Sequence, residues 1–281
     1  MKQKFFILSL CFLAACGPAD TDGVSIRFPY RWMDEPGFGG DIDRQNIVEP
    51  SGIVFHPIRR TLFVVSDEGG MYEIGTDGSP IDFMSIPGDL EGITVHPRTG
   101  LLYVVWEGED VILEVDPDQK SVLRRFLLNR EFDGNPAFIE KRTDSFDNGI
   151  ECIAFIPNEA HPEGGTFILG NQWDPSCLIE VEVPLLSSKN ESDTAVILRV
   201  LPFKLDDPSA MYFDTETGRL NVVSDADNIL VELTLAGRLV GEYAFPGDNQ
   251  EGLTRDDQGY LYIAQDSGGI LRIKDLRKRT P

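Results

Sequence analysis

Residues 89–117 read DLEGITVHPRTGLLYVVWEGEDVILEVDP, and residues 249–275 read NQEGLTRDDQGYLYIAQDSGGILRIKD. The two are copies of one unit. In the first copy an apolar stretch from Ile93 to Val95 is followed by a turn at Pro97–Gly100 and a second stretch from Leu101 to Val105. An acidic loop and a third stretch, from Val111 to Val115, complete it. Short runs rich in β-branched and aromatic residues, broken by turn residues, predict strands and exclude a helical solenoid.

Three further copies open at PSGIVFHPIRRTLFVVSDEGG, IECIAFIPNEAHPEGGTFILGNQWD and PSAMYFDTETGRLNVVSDADN. The five align on Ser51, Glu91, Glu151, Ser209 and Glu251, spaced 40, 60, 58 and 42 residues apart. About forty residues is the length of one four-stranded propeller blade. The longer gaps are the same unit with insertions, FDGNPAFIEKRTDSFD in the second repeat and NEAHPEGG and LLSSKNESD in the third. A fourth stretch follows in four repeats (PIDFMSIPG, SVLRRFLL, AVILRVLPF and RLVGEYAFPG) and is missing from the fifth. VSIRFPYRW, Val24 to Trp32, resembles the missing strand, so the N-terminus is expected to complete the last blade opposite Ile270–Ile273 and to close the ring. The fold class is therefore all-β, a five-bladed β-propeller, with six blades as the alternative, and each copy needs its neighbours to bury both faces.

In a four-stranded meander the chain reverses at every turn. The link into the first strand and the loop between the second and third strands therefore share one face. The links bring Glu49, Asp89, Glu91, Asp147, Asn148, Glu151, Asp206, Asp207, Asp248 and Glu251 to that face, and the loops add Asp67, Glu68, Glu107, Glu109, Asp225, Asp227 and Asp266. Carboxylates are thus expected to converge on one mouth of the channel. Arg59, Arg60, Arg98, Lys120 and Arg238 map to the opposite face, and His56, His96 and His161 also lie away from the acidic mouth.

At the N-terminus Lys2 and Lys4 precede FFILSLCFLAAC, which is too short to span a bilayer and has the layout of a secretory signal. It ends in Leu13-Ala14-Ala15-Cys16, which resembles the bacterial lipoprotein lipobox. That pattern predicts removal of residues 1–15, a fatty-acyl (palmitate-type) anchor on Cys16, a tether over residues 16–23 and a folded body over 24–281. The protein is then expected on the non-cytoplasmic side of a membrane of the bacterial cell envelope. The net charge is −22, and losing Lys2 and Lys4 makes it −24. Such a body repels nucleic acid and anionic headgroups and is complemented by cations. Once Cys11 and Cys16 are accounted for, only Cys152 and Cys177 remain, beginning the first and third strands of one blade. Two strand spacings, roughly 10 Å, exceed disulfide reach, so both are expected as free thiols.

The order of signal, lipobox, then EPSGI, LEGIT, IECIA, PSAMYFD and QEGLT resembles the SdiA-regulated (YjiK-like) bacterial lipoproteins, five-bladed propellers distantly similar to NHL-repeat proteins. The resemblance covers nearly all of the chain after about residue 24, and it implies a calcium site. Where three repeats have Glu91, Glu151 and Glu251, two have Ser51 and Ser209, though Glu49 and Asp207 stand two residues earlier. These five acids are the candidate metal ligands. Calcium takes six to eight oxygen ligands, which converging loops can supply, whereas zinc would want histidine or thiolate. The alternative role for Glu91, Glu151 and Glu251 is to bond backbone amides of neighbouring blades and hold the inner strands in register.

With no histidine on that face, Ser51 and Ser209 are read as small hydrogen-bonding residues at tight strand starts and not as nucleophiles. Trp106 and Trp173, with Asp67, Asp225 and Asp266, are the candidate ligand-lining residues. The tryptophans could form an aromatic wall for a sugar or peptide, or pack between blades. The expected function is a calcium-binding propeller serving as a binding or scaffold module for an unidentified small molecule or protein. The alternative is a calcium-dependent esterase, lactonase or phosphoesterase that polarises a carbonyl or phosphoryl oxygen.

Overall fold

The computed structural model describes residues 26–32, 40–139, 149–173 and 175–278, and among these it contains strands and turns but no helix. The signal, Cys16, the tether, Val24 and the link residues Asp147 and Asn148 lie outside the described residues.

Two short N-terminal strands, β1 (Ile26–Arg27) and β2 (Tyr30–Trp32), precede a series of antiparallel meanders. The first comprises β3 (Pro50–His56), β4 (Thr61–Ser66), β5 (Met71–Ile74) and β6 (Pro80–Met84). The second comprises β7 (Leu90–Val95), β8 (Leu102–Trp106), β9 (Val111–Asp116) and β10 (Ser121–Asn129). The third comprises β11 (Ile150–Pro157), β12 (Gly165–Asn171), β13 (Cys177–Glu182) and β14 (Ser192–Val200). The fourth comprises β15 (Pro208–Asp214), β16 (Arg219–Ser224), β17 (Ile229–Thr234) and β18 (Leu239–Ala244). The last comprises β19 (Gln250–Arg255), β20 (Tyr260–Gln265) and β21 (Ile270–Asp275), and β2 completes it, with Trp32 opposite Ile273.

The innermost strands β3, β7, β11, β15 and β19 touch in that cyclic order, and β19 returns to β3. One apolar cluster fills each seam between neighbouring meanders. Tyr103, Phe126, Phe155 and Phe167 are in the second–third seam, for example, and Val54, Leu102 and Val104 in the first–second. Burying a side chain of that size stabilises by about 1.5–3 kcal/mol, so the seams hold a β-propeller together. Asp41 bridges to Leu271, and Ile42 and Ile47 fill the fifth–first seam as the chain leads into β3. Cys152 and Cys177 are both buried free thiols on strands that flank β12.

The N-terminal segment departs from the single strand expected over Val24–Trp32. Only Tyr30–Trp32 pairs with β21, while Ile26–Arg27 pairs in parallel with β18, Ile26 opposite Tyr243. Phe28 forces the division: it is 1% exposed and meets the rings of Tyr243 and Phe245 edge-on at 5.6 and 5.2 Å. Pro29, which has no N–H to donate, then breaks the ladder.

A second feature is absent from the repeat pattern. The outer strands β10 and β14 pair in parallel, Arg125–Asn129 against Ser192–Val196, and merge two meanders into one eight-stranded sheet. Both strands are nine residues long and present outer edges, and each covers the other's unpaired backbone groups.

Candidate functional site

Every innermost strand carries a register shift at its repeat anchor. The shifts fall between Pro50 and Gly52, Leu90 and Ile93, Ile150 and Cys152, Pro208 and Ala210, and Gln250 and Gly252. A bulge bends its strand and re-aims the bulged side chain, so Ser51, Glu91, Glu151, Ser209 and Glu251 leave the strand's alternation at the channel mouth. One residue further in, the ring reads Gly52, Gly92, Cys152, Ala210 and Gly252. Small residues are required there because the backbones nearly touch. A Cβ on Gly92 would lie 2.7 Å from Cys152 Cα, one on Gly252 would lie 2.8 Å from Ile53 N, and one on Gly52 would overlap the Glu91 carbonyl. The Cys152 thiol donates to Pro208 O at 3.0 Å, and the Ser209 hydroxyl donates to Gln250 O at 2.7 Å, each crossing to the next meander.

Above this waist the links and loops are pinned to each other. The backbone N–H of Glu107 donates to Asp89 O at 3.0 Å, Gln172 to Gly149 O at 2.9 Å and Asp266 to Asn249 O at 3.0 Å. Two residues before their anchors, Glu49, Asp207 and Asn249 take left-handed backbone angles, with φ of 45°, 51° and 49°. Such angles cost a non-glycine residue of the order of 1 kcal/mol and persist where the surroundings impose them.

Among the described residues the acids gather in two close sets. Asp89, Glu91 and Glu107 each place a carboxylate oxygen within 4.8 Å of the others, and so do Glu49, Asp67 and Asp266. Burial pushes the Glu91 carboxyl well above the usual carboxylate range, and the charges of Asp89, Glu107 and Glu251 push it further. Burial does the same to Glu151, with Glu91 and Glu107 adding to it. Glu251 is raised to about 8 by burial and then by Asp225 and Asp207. Asp67 rises to about 7, through burial and then Glu49 and Asp266. The leading charged neighbours of all four are other acids.

The structure thus brings Glu91, Glu151 and Glu251 within electrostatic reach of one another but divides the five candidate ligands between sets. Glu49 joins Asp67 and Asp266. Asp207 accepts from Gln172 Nε2 at 2.9 Å and from Ala226 N at 3.2 Å, and Asp225 accepts from Gln250 N at 2.9 Å. Ser51 donates to Glu49 O at 3.1 Å, the short hydrogen-bonding role expected of it. Trp106 ends β8 with its indole packed on Gly88, under the Arg125 guanidinium at 5.5 Å, while Trp173 is 50% exposed. All three histidines stand away from the mouth. His56 bonds Gly100 O at 2.9 Å, His161 lies 3.2 Å from Glu182, and His96 shares a cleft with His161. Of the acids in the two close sets, Asp89 and Glu107 are those that sequence reasoning placed on this face but named neither as metal ligands nor as ligand-lining residues. Glu107 is only 3% exposed, and its place directly after the aromatic end of β8 is the signal that could have marked it.

No curated protein matches this sequence. Among solved structures, the glutaminyl cyclase of Myxococcus xanthus is similar with a TM-score of 0.58 at 11% identity, over 89% of this chain and 97% of that one. A protein of unknown function from Bacteroides caccae gives 0.46 at 18% identity, over 77% and 70%. Kuenenia stuttgartiensis hydrazine synthase gives 0.44 at 16%, over 79% and 56%. The first of these likenesses speaks to the fold alone. The SdiA-regulated family matches residues 36–268, a span that takes in every innermost strand and both acidic sets, and the chain belongs to that family.

Proposed function

We propose that this protein is a binding module of the bacterial cell envelope, tethered by lipid on Cys16, whose acidic mouth holds a calcium ion. One observation carries the reading: buried carboxylates converge from neighbouring meanders, and their leading charged neighbours are again acids. Such groups need a counter-charge or a proton. The donors fit a hard cation, since all are oxygens and no histidine stands at the mouth. Asp89, Glu91 and Glu107, with Glu151 beside them, would hold it, and Glu49, Asp67 and Asp266 form the second acidic set of the same mouth. Bound there, calcium would neutralise the cluster and offer remaining coordination positions to oxygens of a ligand. The bulges and left-handed links set where these carboxylates stand.

The test is thermal unfolding in calcium and in chelator. A bound cation stabilises by RT ln(1 + [L]/Kd), about 2.7 kcal/mol at a hundredfold excess over Kd. Glu151→Gln should show a smaller calcium-dependent rise than the parent while keeping its stability in chelator. Equal rises would return Glu151 to holding strand register, and no rise in the parent would remove the metal. Chelator-sensitive turnover in an ester, lactone and phosphoester screen would replace the binding module with a hydrolase.

A further inference from the structure

Beyond the waist each innermost strand runs on toward its hairpin turn, and there the meanders surround a cavity of about 260 Å3. It opens among the turns at Pro57, Pro97, Thr215 and Asp256, on the side opposite the acidic mouth. Four residues past the repeat anchors, the ring lining it reads Phe55, Val95, Phe155, Phe213 and Arg255. Four positions of that layer are apolar, and the fifth is an arginine.

Arg255 is enclosed, with 16% of its side chain exposed, and its hydrogen-bonding capacity is underused. Its Nε is buried and donates no hydrogen bond. The two nearest carboxylates stand beyond hydrogen-bond distance, Glu216 at 3.7 Å and Asp275 at 3.9 Å. Asp275 also bonds Arg277 at 3.0 Å, and Glu216 reaches in from the neighbouring turn and is 69% exposed. The other acids of the lining are also engaged. Asp214 accepts the Glu216 N–H, Asp256 accepts from Gln258 N, Tyr260 N and the Tyr262 hydroxyl, and Asp257 pairs with Arg60. A guanidinium offers five N–H donors in a fork that matches a carboxylate.

We infer that this cavity binds a small monocarboxylate with an apolar body. Its hydrocarbon packs against Phe55, Phe155 and Phe213, and its carboxylate takes the Arg255 fork in place of Glu216. A neutral alcohol of the same shape fills the apolar walls and can accept one N–H, but it neither matches the two-pronged fork nor offsets the guanidinium charge, so charge decides selection and the apolar ring limits size.

Calorimetric titration of the protein with 3-phenylpropanoate and with neutral 3-phenyl-1-propanol tests this, in calcium and again in chelator because the site lies away from the acidic mouth. The acid should bind about tenfold more tightly than the alcohol, as expected for a charge-assisted contact. Glu216→Gln, at an exposed position, should tighten acid binding severalfold and leave the alcohol unchanged, because the competing charge is gone. Arg255→Gln should bring the acid down to the level of the alcohol. Binding of neither probe, equal binding of both by the parent, or an acid affinity indifferent to Glu216→Gln would overturn the inference. The last of these does not depend on whether the arginine variant folds.

Discussion

Glu251→Gln should change how stability depends on pH. In an unfolded chain the Glu251 carboxyl titrates near 4.5; in the fold, burial first and then the charges of Asp225, Asp207, Asp266 and Asp67 push it up to about 8. Below pH 4.5 the group is protonated in both states and costs nothing. Between 4.5 and 8 the unfolded chain releases a proton that the folded protein keeps, so stability falls by about 1.4 kcal/mol per pH unit, and above 8 the loss is complete. From pH 5.5 to 8 this amounts to about 3 kcal/mol, an upper figure because the neighbouring carboxylates titrate together. Glutamine cannot ionise and lacks this slope. Urea unfolding in chelator at pH 5.5, 6.5, 7.5 and 8.5 reads it directly. The parent should lose about 3 kcal/mol more than the variant across the series, leaving the variant relatively most favoured at pH 8.5. Acids away from Glu251 contribute equally to both proteins, while the difference between the curves carries Glu251 together with the acids coupled to it, Asp225, Asp207, Asp266 and Asp67. Parallel stability curves would refute the argument that Glu251 is held protonated among acids.

Gly52→Ala puts a methyl group on the Glu91 backbone, which cannot rotate aside, and should cost about 1–3 kcal/mol in urea unfolding; an unchanged midpoint would show the waist to be looser than described. Arg277 bonds Asn221 at 2.7 Å, Tyr212 at 3.1 Å and the buried Asp275 at 3.0 Å, and its guanidinium lies 4.8 Å from the Phe28 ring centroid. Arg277→Gln leaves that buried carboxylate with Arg255, 3.9 Å away, as its nearest cation and should lower stability by about 3 kcal/mol, measured by thermal unfolding; a loss under about 1 kcal/mol would show that the C-terminal segment does not fasten the ring. Cys16→Ser should release the protein from the membrane fraction on cell fractionation, and retention there would remove the lipid anchor.

The meanders were legible because each repeat must solve the same problem at the axis. A bulged anchor followed by a small residue leaves Glu-Gly, Ser-Gly, Glu-Cys or Ser-Ala in the sequence, and these dipeptides mark the innermost strands. The acidic face followed from counting chain reversals. The grouping of the acids did not. Whether Glu49 pairs with Glu91 or with Asp67 and Asp266 depends on which meanders adjoin and on left-handed angles at single residues, and strand periodicity carries neither. The division of the N-terminal segment turned on one aromatic, Phe28, finding a slot between Tyr243 and Phe245. The union of β10 with β14 joins strands about 70 residues apart, and no local pattern in the sequence encodes it.

The stitching at the outer edge has a mechanical consequence for the acidic mouth. Repulsion there acts across seams: Glu91 pushes on Glu151 between the second and third meanders, Asp225 and Asp207 on Glu251 between the fourth and fifth, and Asp266 on Asp67 between the fifth and first. Each of these seams carries a fastener. The first has the β10–β14 pairing, the second the N-terminal segment laid over β18 and β21, and the third the bridge from Asp41 to Leu271. Across the third–fourth seam the polar contact is attractive, with Gln172 donating to Asp207, and the outer strand β14 pairs with β10 and not with β18. Charge acts as a wedge at the inner radius and backbone pairing as a clamp further along the same lever. At those three seams the mouth can therefore hold its acids under load, and at the first–second seam, where Asp89 pushes on Asp67, the apolar packing of Val54, Leu102 and Val104 holds the joint.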